Sequence, residues 1–270
     1  MKLRNAAWCV SLFTAIVLLA GCGASPRVRK ESSARIKRVA VVSLYCPAMI
    51  TVDNPRQAVG FHVVDIARQG KLKRAEMMEA FKPRGLFLLG LANEELTARL
   101  SSDFGWKVIP IDAALRTAPY GALRALSASR QEKSFPLMMS VEGGAFLWLS
   151  EKDTELREAI VKYCTTAGVD AVVIALFDFA YTKGPWSAEG SFPAARANTF
   201  TSLQVVDRSG AIVVDMPQAT KRDRNFSSFS DETMKLKGWG ADINERTIAY
   251  YKSSTRKSVE KVLKDIKKRM

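Results

Sequence analysis

Histidine is almost missing from this chain: His62 is the single one in 270 residues. Any Ser-His-Asp or Cys-His site would have to use it, and no G-x-S-x-G elbow accompanies it. A zinc centre built on several histidines is therefore excluded. Cysteine is scarce as well, with four residues at positions 9, 22, 46 and 164, none in C-x-x-C spacing. The phosphate-cradling patterns G-x-x-x-x-G-K-[ST] and G-x-G-x-x-G do not occur. Within GFHVVDIARQG, His62 reads more simply as a partly buried polar residue than as a catalytic one. No catalytic residue, metal ligand set or cofactor is signalled, and the chain reads as more plausibly non-enzymatic than enzymatic.

A membrane-spanning run is also lacking. The longest apolar stretch, Ala6 to Ala20, is interrupted by Ser11 and Thr14. At about 15 residues it falls short of the ~20 that cross a bilayer as a helix. Lys2 and Arg4 precede it and small residues close it, which are the three parts of a secretory signal. Leu19-Ala20-Gly21-Cys22 resembles the lipobox of bacterial lipoprotein precursors. That resemblance implies cleavage between Gly21 and Cys22, a diacylglycerol on the Cys22 thiol and acylation of its new amino group. Cys9 would leave with residues 1–21. Several acyl chains on one residue anchor stably, where one chain gives only marginal binding. Gly23 stands where an Asp favours inner-membrane retention in the Gram-negative family, so the resemblance implies the outer membrane, facing the periplasm.

Acidic residues are in deficit, 27 against 41 Lys and Arg, for a formal charge of +14. So basic a balance usually means nucleic acid or anionic membrane. Export argues against nucleic acid. Arg27, Arg29, Lys30, Arg35, Lys37 and Arg38 crowd the segment after Cys22, near where lipid head groups would be. A solvated tether without a specific partner explains them equally well. Residues 22–36, GCGASPRVRKESSAR, show no periodicity and read as a flexible tether. As a coil it would hold the body roughly 20 Å from the membrane.

The body, 37–270, reads as one α/β domain: a mixed sheet with helices packed on it, an antiparallel hairpin and a terminal helix. Val39 to Leu44 is a short continuous apolar run, which suits a strand covered on both faces. A helix over 93–104 is predicted, capped by Asn93, then a short edge strand at Lys107–Ile111, where Pro110 sits. A further helix is predicted over Glu151–Ala167, with Ser150 and Asp153 as a capping box and Gly168 as its stop. Asp170–Tyr181 is the clearest strand. Ser202–Asp207 and Ala211–Asp215 flank Arg208-Ser209-Gly210 as a hairpin. In the last helix, Ile248, Tyr251, Thr255, Val259, Val262, Ile266 and Met270 share a stripe among lysines. Packing on the sheet is favoured there over lying on a membrane. Residues 45–92, with a helix suggested around Lys71–Phe81 and the apolar GLFLLGLA at 85–92, and 113–149, with FPLMMSVEGGAFLWLS at 135–150, read either as insertions or as untyped elements, and one domain with insertions is preferred.

Three patterns together resemble a known family: RIKRVAVVSL at 35–44, TTAGVDAVVIALF at 165–177 and TSLQVVDRSGAIVVDM at 201–216. They are similar to the small periplasmic α/β domain of curli-secretion channel lipoproteins, lipoprotein activators of penicillin-binding proteins and the amino-terminal domain of TolB. Asp207 and Gly210 fall where that family's strand pair turns. The resemblance implies an accessory or scaffold role in envelope assembly, secretion or polymer export, with envelope proteins as partners and a possible homo-oligomer. A channel subunit is one alternative. Its pore hairpin would have to come from 135–150, whose arms around Gly143-Gly144 are short. An anchored solute-binding protein or enzyme is another, using Asp112 and Asp178 at strand ends, although helix capping explains such residues more simply. Trp186 and Phe192, in a loop over 182–197, form either an exposed partner patch or part of the core. Cys46 and Cys164 are placed at opposite ends of the strand layer, roughly 20 Å apart, beyond the ~7 Å a disulfide spans. Two free, buried thiols are expected.

Overall fold

The computed structural model describes residues 26–47, 51–52, 74–134, 138–186, 193–217, 227–229, 234–235 and 245–270. In chain order the strands are β1 (Arg27–Val28), β2 (Arg38–Pro47), β3 (Thr51–Val52), β4 (Lys107–Ile109) and β5 (Met138–Ser140), then β6 (Ala171–Trp186), β7 (Pro193–Asp207), β8 (Ile212–Met216), β9 (Ser227–Phe229) and β10 (Met234–Lys235). The helices are α1 (Lys30–Ser33), α2 (Arg74–Phe104), α3 (Ile111–Ala114), α4 (Tyr120–Ser134), α5 (Thr154–Ala167) and α6 (Glu245–Arg269).

All ten strands belong to one sheet with the main order β1-β8-β7-β6-β2-β4. β2 runs parallel to β4 and β6, while β6, β7, β8 and β1 are antiparallel in turn. The fold is α/β with a mixed sheet, helices and a terminal helix. The continuous apolar run of β2 has the expected cause, because both faces of the sheet are covered. Val39, Val41, Leu44 and Cys46 face the side of α2 and α6, while Ala40, Val42 and Tyr45 face the side of α4 and α5. That alternation slips by one after Val41, because a bulge there sets Val41 opposite Val173 but Ser43 opposite Ile174.

α6 packs the predicted stripe, with Tyr251, Thr255, Val259, Val262 and Ile266 all buried. α5 ends as expected on Gly168, whose left-handed φ of 64° lets Val169 N–H donate to Cys164 O. Its start is different: Asp153 itself is the cap, accepting from Leu156 N–H at 3.2 Å, so the helix begins at Thr154 rather than Glu151. The hairpin closes on Gly210, with φ 80°.

Several expectations are corrected. The helix predicted from Asn93 is the last third of α2, a helix of 31 residues with Pro83 inside it. Leu88, Leu89, Ala92, Leu96 and Leu100 form one buried stripe through Asn93, and burial of that stripe outweighs the helix-breaking tendency of Pro83, Gly85 and Gly90. Residues 85–92 are thus part of the body's packing and not an insertion, and α2 runs back from them to Arg74; 48–50 and 53–73 lie outside the described residues. The stretch 113–149 is likewise integral, contributing α4, β5 and the buried Ala145, Phe146, Leu147 and Leu149. Its hairpin does not form: β5 pairs with β2, and residues 144–149 run as an extended strap under α4. The tether is also shorter than expected. β1 pairs with β8, and Ser33 and Ile36 are buried, so the body begins by Arg27.

Candidate functional site

The parallel strands β2, β4 and β6 all start at one end of the sheet, and basic side chains collect there. Three chain segments meet around Asp170. Its carboxylate Oδ2 accepts from the backbone N–H groups of Lys37 and Arg38, both at 2.9 Å. Its own N–H donates to Arg38 O, and its carbonyl accepts from Arg208 N–H, both at 2.8 Å. The acidic group is thus occupied by backbone, and the side chains of Lys37, Arg38 and Arg208 stand exposed. Lys107 joins them, since it lies opposite Arg38 and its N–H donates to Lys37 O at 2.8 Å.

The turn beside them repeats the arrangement. Asp207 Oδ1 accepts from the N–H groups of Ser209 at 2.9 Å and Ala211 at 3.0 Å, leaving Arg208 pointing outward. On the other side, α2 and α6 both end at this edge. Lys267 Nζ donates to Asp103 O at 3.1 Å, and Gly105, with φ 68°, turns the chain from α2 toward Lys107. Helix dipoles explain basic residues in the last turn of α6. They do not explain Lys37, Arg38 or Lys107, which begin strands. Among the described residues none of Arg35, Lys37, Arg38, Lys107 and Arg208 belongs to an ion pair.

The other residues singled out from sequence do not converge. Leu19, Ala20, Gly21 and Cys22 lie outside the described residues, as do His62 and Phe192. Asp112 sits in the first turn of the short helix α3; the cap position is Pro110 and no side chain caps it, so the capping expected of Asp112 is not seen. Asp178 is not at a strand end: it stands within β6 opposite Phe200, because β6 continues to Trp186. Trp186 is accordingly a strand residue paired with Pro193; of the loop expected over 182–197, residues 182–186 and 193–197 are strand, and 187–192 lie outside the described residues. Cys46 and Cys164 are free and buried, as expected. They lie on opposite faces of the sheet, a separation stronger than the one inferred along the strands. Burial pushes the Cys164 thiol up to about 12, and raises that of Cys46 further, with the Asp178 carboxylate adding to it. Neither is a nucleophile near neutral pH.

Among the described residues no group of three or more His, Cys, Asp or Glu can hold a metal ion. No helix among them is long and apolar enough to cross a membrane. Sequence reading found the basic residues of 27–38 but not their company. Lys107, Arg208 and Lys267 lie 69 to 230 positions away in sequence from Lys37 and Arg38, and only the strand order brings them together. What the site can do chemically is attract anions.

The fold defines an α/β protein with a mixed sheet covered by helices on both faces. No protein-family model matches the chain, and no curated protein matches it.

Proposed function

We propose that this chain is an envelope lipoprotein, acylated on Cys22 after cleavage from Gly21, and that its body serves as a non-catalytic accessory or scaffold in envelope assembly, secretion or polymer export. In this reading it sits on the outer membrane facing the periplasm. The observation that carries it is the order at the amino terminus. A charged start, a short apolar core and Leu19-Ala20-Gly21-Cys22 are followed, only five residues on, by the first strand of the body. A signal cut before Cys22 leaves a folded body and an anchor with almost nothing between them. The scaffold role is supported by the similarity of residues 35–44, 165–177 and 201–216 to periplasmic α/β domains that act through other proteins.

Three measurements test it. Inhibiting the lipoprotein signal peptidase must accumulate the precursor, and Cys22→Ala must abolish labelling by radioactive fatty acid. Detergent-solubilised membranes should yield the protein with stoichiometric envelope partners. Recovery of the acylated chain alone, with strong thermal stabilisation by a small envelope metabolite, would favour the solute-binding alternative.

A further inference from the structure

We propose that the basic end of the sheet is a docking surface for anionic phospholipid head groups, which holds the body with the starts of β2, β4 and β6 toward the membrane. The proposal deepens the lipoprotein reading and rests on it for the closeness of the anchor.

Three observations support it. The first is reach. Arg27 stands opposite Asp215, Asp215 opposite Gln204, and Gln204 opposite Ile174, three residues above the strand start at Ala171. That is roughly 10 Å of strand. Cys22 lies five residues before Arg27, and five residues span at most about 17 Å. Five residues are therefore long enough for acyl chains on Cys22 to meet the plane of the basic end, a tighter limit than a fifteen-residue coil would set. β1 itself descends toward that end, antiparallel to β8, with Arg29 N–H bonding Val213 O at 2.8 Å, so the stretch before Arg27 has to double back beside β1 for the anchor and the cations to share one membrane.

The second observation is charge. Cations come from four separate segments: the stretch before β2, the start of β4, the β7–β8 turn and the end of α6. The acidic groups among them are mostly occupied, Asp170 and Asp207 by backbone N–H and Asp265 by Arg269 at 2.7 Å. Glu31 is the exposed exception. The third is rigidity. Lys37, Arg38, Lys107 and Arg208 are carried on backbone that is hydrogen-bonded across segments, so their common plane is built in. An extended plane of exposed cations from four segments suits a charged surface better than a single small anion. Attraction of this kind contributes roughly fivefold per Lys or Arg to the docked population and fades with salt.

The test uses the mature acylated protein in vesicles of phosphatidylethanolamine, with or without roughly a third phosphatidylglycerol. Because Cys46 and Cys164 are buried and acylated Cys22 has no thiol, a dye placed by Ser209→Cys reports the basic end alone. Lys82→Cys, exposed on α2 and 22 residues before its end, reports a point roughly 33 Å along the helix from that end. Nitroxide-labelled head groups should quench the dye at 209 in anionic vesicles only, at least tenfold more than at 82, and added salt should relieve it. Lys37→Glu, Arg38→Glu and Lys107→Glu together should abolish the contrast; their side chains make no bond that the fold needs. Equal quenching in both vesicle types, or stronger quenching at 82 than at 209, overturns the proposal. If mass spectrometry finds no acyl chains, the lipoprotein reading fails by itself. The docking surface is then judged by the same quenching at higher lipid concentration, where silence at 209 on anionic vesicles overturns it.

Discussion

The two faces of the sheet are closed by different means. On one, α2 and α6 lay apolar stripes on the strands, and buried hydroxyls of β7 meet hydroxyls of α6, while Ser254 Oγ also bonds Tyr251 O within the helix at 3.1 Å. Thr199 pairs with Ser254 at 2.7 Å and Thr201 with Ser258 at 2.7 Å, all buried between β7 and α6. On the other, part of the cover is not secondary structure. Residues 145–149 cross the sheet as an extended strap whose backbone has no strand beside it. Side chains supply its partners instead. Ala145 N–H donates to the Tyr120 hydroxyl at 2.8 Å, Phe146 N–H to Ser127 Oγ at 2.7 Å and Leu147 N–H to Ser43 Oγ at 3.1 Å. Gln204 accepts from Leu149 N–H at 3.0 Å and donates to Leu149 O at 3.1 Å. The bulge in β2 belongs to this arrangement. It puts Val42 and Ser43 on the same side, so that Tyr120 donates to Val42 O at 2.9 Å and Ser43 to Ala145 O at 2.6 Å. A helical cover satisfies its own backbone, whereas a strap must borrow from side chains, which makes the second face depend on single residues.

The largest expected effect treats the faces alike. Burial raises the thiols of Cys46 on one face and Cys164 on the other, and the phenols of Tyr45 and Tyr120, the last to about 12. The folded protein keeps these protons while the unfolded chain releases them, first the thiols and then the phenols. Stability is therefore full below about pH 8 and falls as pH rises toward 12, by about 1.4 kcal/mol per pH unit for each group titrating. Urea midpoints at about pH 8 and pH 10.5 should differ by several kcal/mol, on the order of 2 from each thiol. Cys46→Ala and Cys164→Ala should each remove a similar share of the slope. A flat profile would mean the thiols are not buried.

The next effect separates the faces. Tyr120→Phe keeps the ring and removes the hydroxyl that serves both Val42 O and Ala145 N–H. Two buried backbone groups are left without that partner, a loss on the order of 3 kcal/mol in chemical denaturation. A change below about 1 kcal/mol would show that water or a shift of the strap replaces the hydroxyl, and the contrast between the faces would break.

This contrast also marks what was legible in the sequence. Helices and strands with one apolar period were readable: the α6 stripe, the runs of β2 and β6, and the hairpin around Arg208-Ser209-Gly210. So was the pair of free cysteines. The strap was not, because an extended segment bonded by side chains from Tyr120, Ser127, Ser43 and Gln204 has no periodicity of its own. Nor was the continuity of α2: its two ends read as helix around Lys71–Phe81 and over 93–104, but Pro83, Gly85 and Gly90 between them are local breakers overruled by burial of Leu88 to Leu100. The basic end was half legible. Its cations before β2 stood out as a cluster, but they read as a tether, since pairing of Arg27 and Val28 with β8 depends on a strand nearly 190 positions later.

Two glycines sharpen the comparison further. Gly105 ends α2, which covers the first face, and Gly210 closes the hairpin against α5, which covers the second. Both have left-handed φ, so alanine strains either backbone by about 1 kcal/mol. A Cβ at 105 meets nothing within 4 Å, whereas one at 210 runs into the side chain of Arg157, which donates to Gly210 O at 2.9 Å. Gly210→Ala should therefore lower the thermal midpoint more than Gly105→Ala, by roughly twice as much. Equal shifts would show that Arg157 swings away freely and does not fix α5 to the turn.

The smallest effect is expected where the first face looks most polar. Thr201→Val alone takes from Ser258 a buried partner, which costs about 1 kcal/mol. Adding Ser258→Ala removes the other half of the pair, and two apolar groups then meet where two hydroxyls did. The double variant should return to within about 0.5 kcal/mol of the parent, because both hydroxyls of the pair are then gone and neither is left buried without the other. The strap permits no such rescue. No substitution removes the N–H of Ala145 or the carbonyl of Val42 without proline or a change of fold, so the loss from Tyr120→Phe persists whatever is changed beside it. If Thr201→Val with Ser258→Ala proves as damaging as Tyr120→Phe, the hydroxyl pairs also serve backbone, and the two faces are closed in the same way after all.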